Sequence, residues 1–161
     1  MTAKVAQQYT SPATWRKVLE HYPTLRLDFA HYGKQYNPLA KPPLKALLEN
    51  TITSEPWFKE IILLMQEYPN IFADFSFTGT DPRFYDQLKQ YVDSIEDRQL
   101  AGTIMSRSLF GSDFTVNLSK VESYSNYLRI FEASPFSDEE IDGFARQNPM
   151  AFLRLDTPTA R

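Results

Sequence analysis

The chain has 161 residues, 42% of them hydrophobic and 14% aromatic, which suits one domain with a real core and is too apolar for a disordered chain. The net charge of −3, with acids and bases mixed along the chain, provides no basic stripe and argues against a nucleic-acid partner. No apolar run reaches the roughly 18 residues that a membrane span needs, and the start of the chain lacks the apolar core of a signal peptide.

The first predicted helix opens at Ser11-Pro12, an N-cap followed by a first-turn proline. Trp15, Val18, Leu19 and Tyr22 then recur at helical spacing. Tyr22-Pro23 stops it, because proline lacks an N–H and disfavours helix in the residue before it. An apolar strand follows and ends at Gly33. Residues 33–55 then read as a long loop after a strand, rich in proline (Pro38, Pro42, Pro43) and lysine (Lys34, Lys41, Lys45). Pro56 opens a second helix carrying Phe58, Ile61, Ile62, Leu64 and Met65. Tyr68-Pro69 stops that one, and a strand over Ile71 to Phe77 comes next. Asp81-Pro82 starts a third helix through Phe84, Tyr85, Leu88, Tyr91 and Val92, with a strand expected around Ile104 to Gly111. A last helix begins at Ser137-Asp138-Glu139-Glu140, at capping-box spacing, with Ile141, Phe144 and Ala145 on one face. Residues 156–161 form a tail.

The stretch Glu20 to Gly33 matches Gln66 to Gly79 at a shift of 46 residues, with Tyr, Pro, Asp, Phe and Gly in register. Helix, tight turn and strand thus occur twice, and a third unit follows. The alternation predicts an α/β fold with parallel strands and crossover helices, in a barrel or an open sheet. By strand alternation His31 shares a face with Leu25, Leu27 and Phe29, and Asp113 shares one with Leu109 and Gly111. Asp28 and Asp74 then point the other way, toward the helices, where they are expected to pair with Arg or backbone donors.

The run Leu109-Phe110-Gly111-Ser112-Asp113 is a short apolar strand ending in one carboxylate. In an α/β barrel, such an Asp sits where the chemistry is done. It reads equally as a strand-to-helix turn with Asp as a cap, and His31 reads equally as a satisfied structural histidine. With no cysteine, disulfides and thiolate metal sites are excluded, which fits a cytoplasmic protein. A metal would need carboxylates and the two histidines, His21 and His31.

His31-Tyr32-Gly33, Tyr68-Pro69-Asn70-Ile71 leading into Asp74-Phe75-Ser76, Phe110-Gly111-Ser112-Asp113 and the closing Asn148-Pro149-Met150-Ala151-Phe152-Leu153 together resemble a known pattern. They are similar to the C-terminal part of metal-dependent amidohydrolases, in the branch that includes decarboxylases of the aminocarboxymuconate-semialdehyde type. The resemblance implies a TIM (β/α)₈ barrel, of which residues 1–161 form a single partial domain of about three to four βα units. His31 would end its sixth strand, the run from Ile71 to Phe77 would be the seventh, and Asp113 would end the eighth. The family's His-x-His pair and fifth-strand His have no counterpart here, and His21 matches no ligand position.

The implied chemistry is metal-dependent hydrolysis of a small-molecule C–N or C–O bond, with non-oxidative decarboxylation also open. A divalent metal, Zn²⁺ foremost, would be held by Asp113 and His31 only in a completed site. Asp113 would move the proton, and His31 would bind metal or steady the oxyanion. Tyr32, Lys34 and Thr78 are the substrate-contact candidates. This chain alone is expected to be inactive. The rival reading is a non-catalytic interaction or scaffold protein whose open sheet edges self-associate or pair with the missing barrel half. An open three-layer domain binding a small ligand at its strand ends ranks last, because no glycine-rich phosphate loop accompanies the 5 glycines.

Overall fold

Proline punctuates the elements that frame the sheet. A 3₁₀ turn at Pro12–Trp15 runs into helix α1 (Arg16–His21), which ends at Tyr22 before Pro23. Pro56 opens α2 (Pro56–Glu67), which ends at Tyr68 before Pro69. Pro82 opens α3 (Pro82–Ser94), where the Asp81 carboxylate accepts the Arg83 N–H at 3.1 Å. The computed structural model describes residues 9–34, 55–113, 115 and 121–155. The loop over 33–55 lies outside the described residues except at its ends, as does the tail 156–161.

Each Tyr-Pro stop is followed by a turn and a strand, β1 (Leu27–Phe29) and β2 (Ile71–Asp74). The third strand, β3, is only Ser108–Leu109. The strand expected from Ile104 begins instead as helix α4 (Arg98–Ser106). The Asp97 carboxylate caps it by accepting the N–H groups of Gln99 (2.9 Å) and Leu100 (3.2 Å). Ala101 and Ile104 are its buried stripe. A short apolar run does not by itself separate strand from helix, and here the cap decides.

After α5 (Tyr124–Glu132), the expected capping box is formed by Ser137 and Glu140 at the start of α6 (Asp138–Asp142). A π turn, Gly143–Gln147, leads into α7 (Asn148–Leu153). There the Asn148 N–H bonds to the Gly143 carbonyl, so the next i→i+5 bond in line, to Phe144, would have to come from Pro149. Proline has no N–H to give. The Phe144 carbonyl accepts the Phe110 N–H instead, at 2.9 Å, and so receives the backbone donor just past β3. The inserted residue also turns Ala145 outward, off the face it was expected to share with buried Phe144.

The sheet order is β1-β2-β3 and both pairings are parallel. Leu27 lies opposite Ile71, Phe29 opposite Ala73, Ala73 opposite Ser108 and Asp74 opposite Leu109. Crossover helices and parallel strands therefore hold as expected, and the arrangement is compatible with part of a TIM barrel.

The face assignment reverses the one expected from alternation. Phe29, Ile71, Ala73 and Phe75 belong to the main apolar core, with Leu19, Phe58, Ile61, Leu64 and Phe84 from the helices and the 3₁₀–α1 region. Asp28, Phe72, Asp74 and Leu109 share the opposite face. That face is not bare. Phe152 of α7 meets Phe72 edge-on at 5.0 Å, and the Arg26 guanidinium lies 5.6 Å over the Phe152 ring. The Asn148 amide fixes α7 by donating to the carbonyls of Met105 and Ser108, both at 2.8 Å. In a parallel sheet covered on both sides, both faces are apolar, so alternation alone does not say which face the helices take.

Candidate functional site

All three strands leave the sheet at the same end through unusual backbone. After β1, His31 (φ 45, ψ 36) and Tyr32 (φ 51, ψ 33) are left-handed, and Gly33 follows at φ 67. After β2, Phe77 has φ 57 and ψ −50, and after β3, Asp113 has φ 42. A non-glycine residue in such a conformation costs about 1–3 kcal/mol and persists only where its surroundings hold it. Tyr32 shows how it is held. Its ring is fully buried and stacks on Phe58 at 5.2 Å, and its hydroxyl meets the Ser108 hydroxyl beneath β3.

Asp74, the last residue of β2, joins the exits. Its Oδ1 accepts the His31 N–H at 2.7 Å, the Ser76 N–H at 3.0 Å and the Ser76 hydroxyl at 2.5 Å. On its other side the backbone of Gly111 stands so close that a Cβ there would lie 3.2 Å from both Cγ and Oδ2 of Asp74. A side chain at 111 would therefore press on the Asp74 carboxylate. The Tyr127 hydroxyl completes the rim by donating to the Gly111 carbonyl at 2.6 Å, with the Phe75 carbonyl at 3.3 Å. Burial pushes the Tyr127 phenol well above its ordinary range, so it stays a donor.

Asp28 stands beside Asp74 on the same face. Burial first, then the neighbouring Asp74 charge and a hydrogen bond with it, pushes the Asp28 carboxyl from its ordinary 3.8 up to about 7. The expected Arg partner is not there: Asp28 Oδ1 and Arg26 Nη1 are both buried without a hydrogen-bond partner among the described residues. For Asp74 the expectation of backbone donors holds. Both aspartates share one face, as alternation predicts, but it is the face opposite the main core.

The candidates singled out from sequence fall as follows. His31 is partly buried, its backbone is bound to Asp74, and its Nδ1 is buried with no partner among the described residues. Asp113 is exposed, two residues past the glycine that packs on Asp74. The structure thus brings both segments to one end of the sheet, around one carboxylate. Tyr32 is turned into the helix-side core, and Thr78 is 3% exposed with its hydroxyl 3.3 Å from the carbonyls of Phe75 and Ser76. Their side chains are spent on holding the strained turns. Lys34 is partly buried, and its charge helps to lower the Asp81 carboxyl, whose main stabiliser is Arg83.

A model of the amidohydrolase family matches residues 2–155. The chain belongs to the amidohydrolase family. Neither a curated protein nor a solved structure matches it. Membership points to a hydrolase-type function. Amidohydrolases usually bind a divalent metal, but among the described residues no group of three or more His, Asp or Glu could hold one. A catalytic zinc takes about three protein ligands. These residues alone do not fit the metal. No helix among the described residues is long and apolar enough to cross a membrane.

Proposed function

We propose that this chain forms the C-terminal part of an amidohydrolase-type barrel that hydrolyses a small-molecule C–N or C–O bond, and that it is inactive alone. The observation that supports the reading is the convergence of three strained strand exits at one rim, carrying His31 and Asp113 on either side of Asp74. Rigid elements presenting strained, partly exposed polar residues at one sheet end are what a barrel active site is built from. In this reading the Asp113 carboxylate takes the proton from the attacking water and returns it to the leaving group. The His31 imidazole, its main chain anchored on Asp74, hydrogen-bonds the developing oxyanion. A divalent metal, Zn²⁺ foremost, would enter only where ligands from outside the described residues complete the site. The finer placement in the decarboxylase-containing branch leaves loss of CO₂ as the competing reaction at the same rim.

A second reading is favoured by one feature. Among the described residues β1 has a strand partner on one side only, and an unpaired strand edge is a template for pairing. That edge suits self-association or the missing strands of a barrel.

The test has two arms. Dialysed against zinc, the isolated chain should retain no stoichiometric metal and hydrolyse none of a panel of amides, esters and lactones. In an enzyme assembled around this chain, Asp113→Asn should lower kcat by roughly 10²–10⁴-fold with unchanged circular dichroism. Turnover that survives Asp113→Asn removes that carboxylate from proton transfer.

A further inference from the structure

We infer that Asp74 is a positioning residue, a carboxylate clamp that sets where the His31 imidazole and the Gly111–Asp113 strand exit stand relative to each other. The inference deepens the hydrolase reading and rests on it for its functional half. The clamp itself rests on geometry alone.

Three donors converge on one oxygen. His31 N–H, Ser76 N–H and Ser76 Oγ–H all point at Asp74 Oδ1, at 2.7, 3.0 and 2.5 Å. The His31 bond joins residues 43 apart and spans two strands, so it is a tertiary tie and not a local turn contact. It falls on the first of the left-handed residues after β1, beyond the β1–β2 ladder that ends at Phe29 and Ala73. Hydrogen bonds to an ionised acceptor are about twice as strong as neutral ones. Such a bond is well suited to hold a backbone in a conformation it would otherwise leave.

The other oxygen does different work. Oδ2 and Cγ fill the space above Gly111, where even a methyl group would stand 3.2 Å away. The carboxylate therefore stands close against the β3 exit and holds the β1 exit by hydrogen bonding. Tyr127 ties that same Gly111 to Phe75, just past Asp74, so the β2 and β3 exits are joined twice. Asp113 lies two residues beyond this double tie. A shift of Asp74 would move His31 and Asp113 independently, and a displacement of about 1 Å at reacting groups can cost roughly 10²-fold in rate.

Amide hydrogen exchange on the ¹⁵N-labelled full chain tests the clamp without a substrate. In Asp74→Ala the His31 amide should exchange roughly 10- to 100-fold faster, measured against slow core amides such as Leu64 and Met65. In Asp74→Asn, which keeps an acceptor oxygen without the charge, protection of His31 should be partly retained and its amide proton should move upfield. If the alanine variant does not fold, the asparagine variant carries the test. An unchanged His31 amide overturns the clamp. So does acceleration that is uniform across the core amides, since that is global destabilisation. In an assembled enzyme, Asp74→Asn should lower kcat roughly 10²-fold with KM little changed. Altered exchange without a fall in kcat overturns the positioning role. A wild-type enzyme with no turnover overturns the hydrolase reading and leaves the exchange result standing.

Discussion

Phe75→Ala is expected to cost about 3–5 kcal/mol of unfolding free energy, the range for emptying a fully buried phenylalanine site. The ring is 0% exposed. It meets Phe144 at 5.0 Å, Phe84 at 5.6 Å, Tyr85 at 5.7 Å, Tyr32 at 6.2 Å and Phe131 at 6.3 Å. These rings come from α3, α5, the π turn and the β1 exit, so the cavity would open where four elements meet. Large rigid neighbours collapse poorly, which puts the cost at the upper end. Phe29→Ala, at 9% exposure on the outer strand, should cost less. Urea denaturation with unchanged m-values measures both. A loss below roughly 1.5 kcal/mol at Phe75 would contradict its place at the junction of the core.

Much of this architecture was legible because proline and capping residues act locally. Pro56, Pro82, the Tyr22-Pro23 and Tyr68-Pro69 stops and the Ser137–Glu140 box each mark a boundary by a steric or hydrogen-bonding rule that no tertiary contact overrode. The stretch after Ile95 is ambiguous in sequence because Ile104, Met105 and Leu109 are apolar at spacings that suit either structure, and the Asp97 cap tips it to helix. The π turn could not be foreseen from periodicity, although Pro149 explains why the Phe144 carbonyl is free for Phe110.

At the rim the structure brings the segments of His31 and Asp113 to one end of the sheet, while the face expected for Asp28 and Asp74 is reversed. His31 and Asp113 stand out as a histidine and a carboxylate at strand ends, and both segments meet Asp74. Asp74 and Asp28 are expected toward the helices, paired with Arg or backbone donors, because alternation gives two faces without naming which one the helices cover. The outcome turns on volume. Ala73 and Ser108 are small enough to let α2, α4 and the Tyr32 ring approach the sheet, while Phe72 and Leu109 leave the other face to a single short helix, α7. Left-handed residues after β1 and β3 end the alternation, so the direction of His31 or Asp113 does not follow from counting back along the strand.

Stability of the chain should fall as pH rises from about 4 to about 7, and Asp28→Asn should abolish most of that fall. Asp28 titrates near 3.8 when unfolded and about 7 when folded, raised by burial and by the Asp74 charge. Between those values the folded chain holds a proton that the unfolded chain has released, so folding is disfavoured as protons become scarce. The contribution is complete below the unfolded value and gone above the folded one. At about 1.4 kcal/mol per pH unit over about 3 units it amounts to roughly 4 kcal/mol. Asp81 runs the opposite way, since Arg83 lowers its carboxyl, and its contribution is lost on acidification. The difference between wild type and Asp28→Asn therefore isolates the pair. Asparagine keeps a donor for Asp74 and cannot ionise, so the variant should match wild type near pH 4 and exceed it in stability at pH 8. Denaturation curves across this range decide the matter. Parallel pH profiles for the two chains would show that Asp28 is ionised throughout, and that two carboxylates share that face of the sheet without a proton between them.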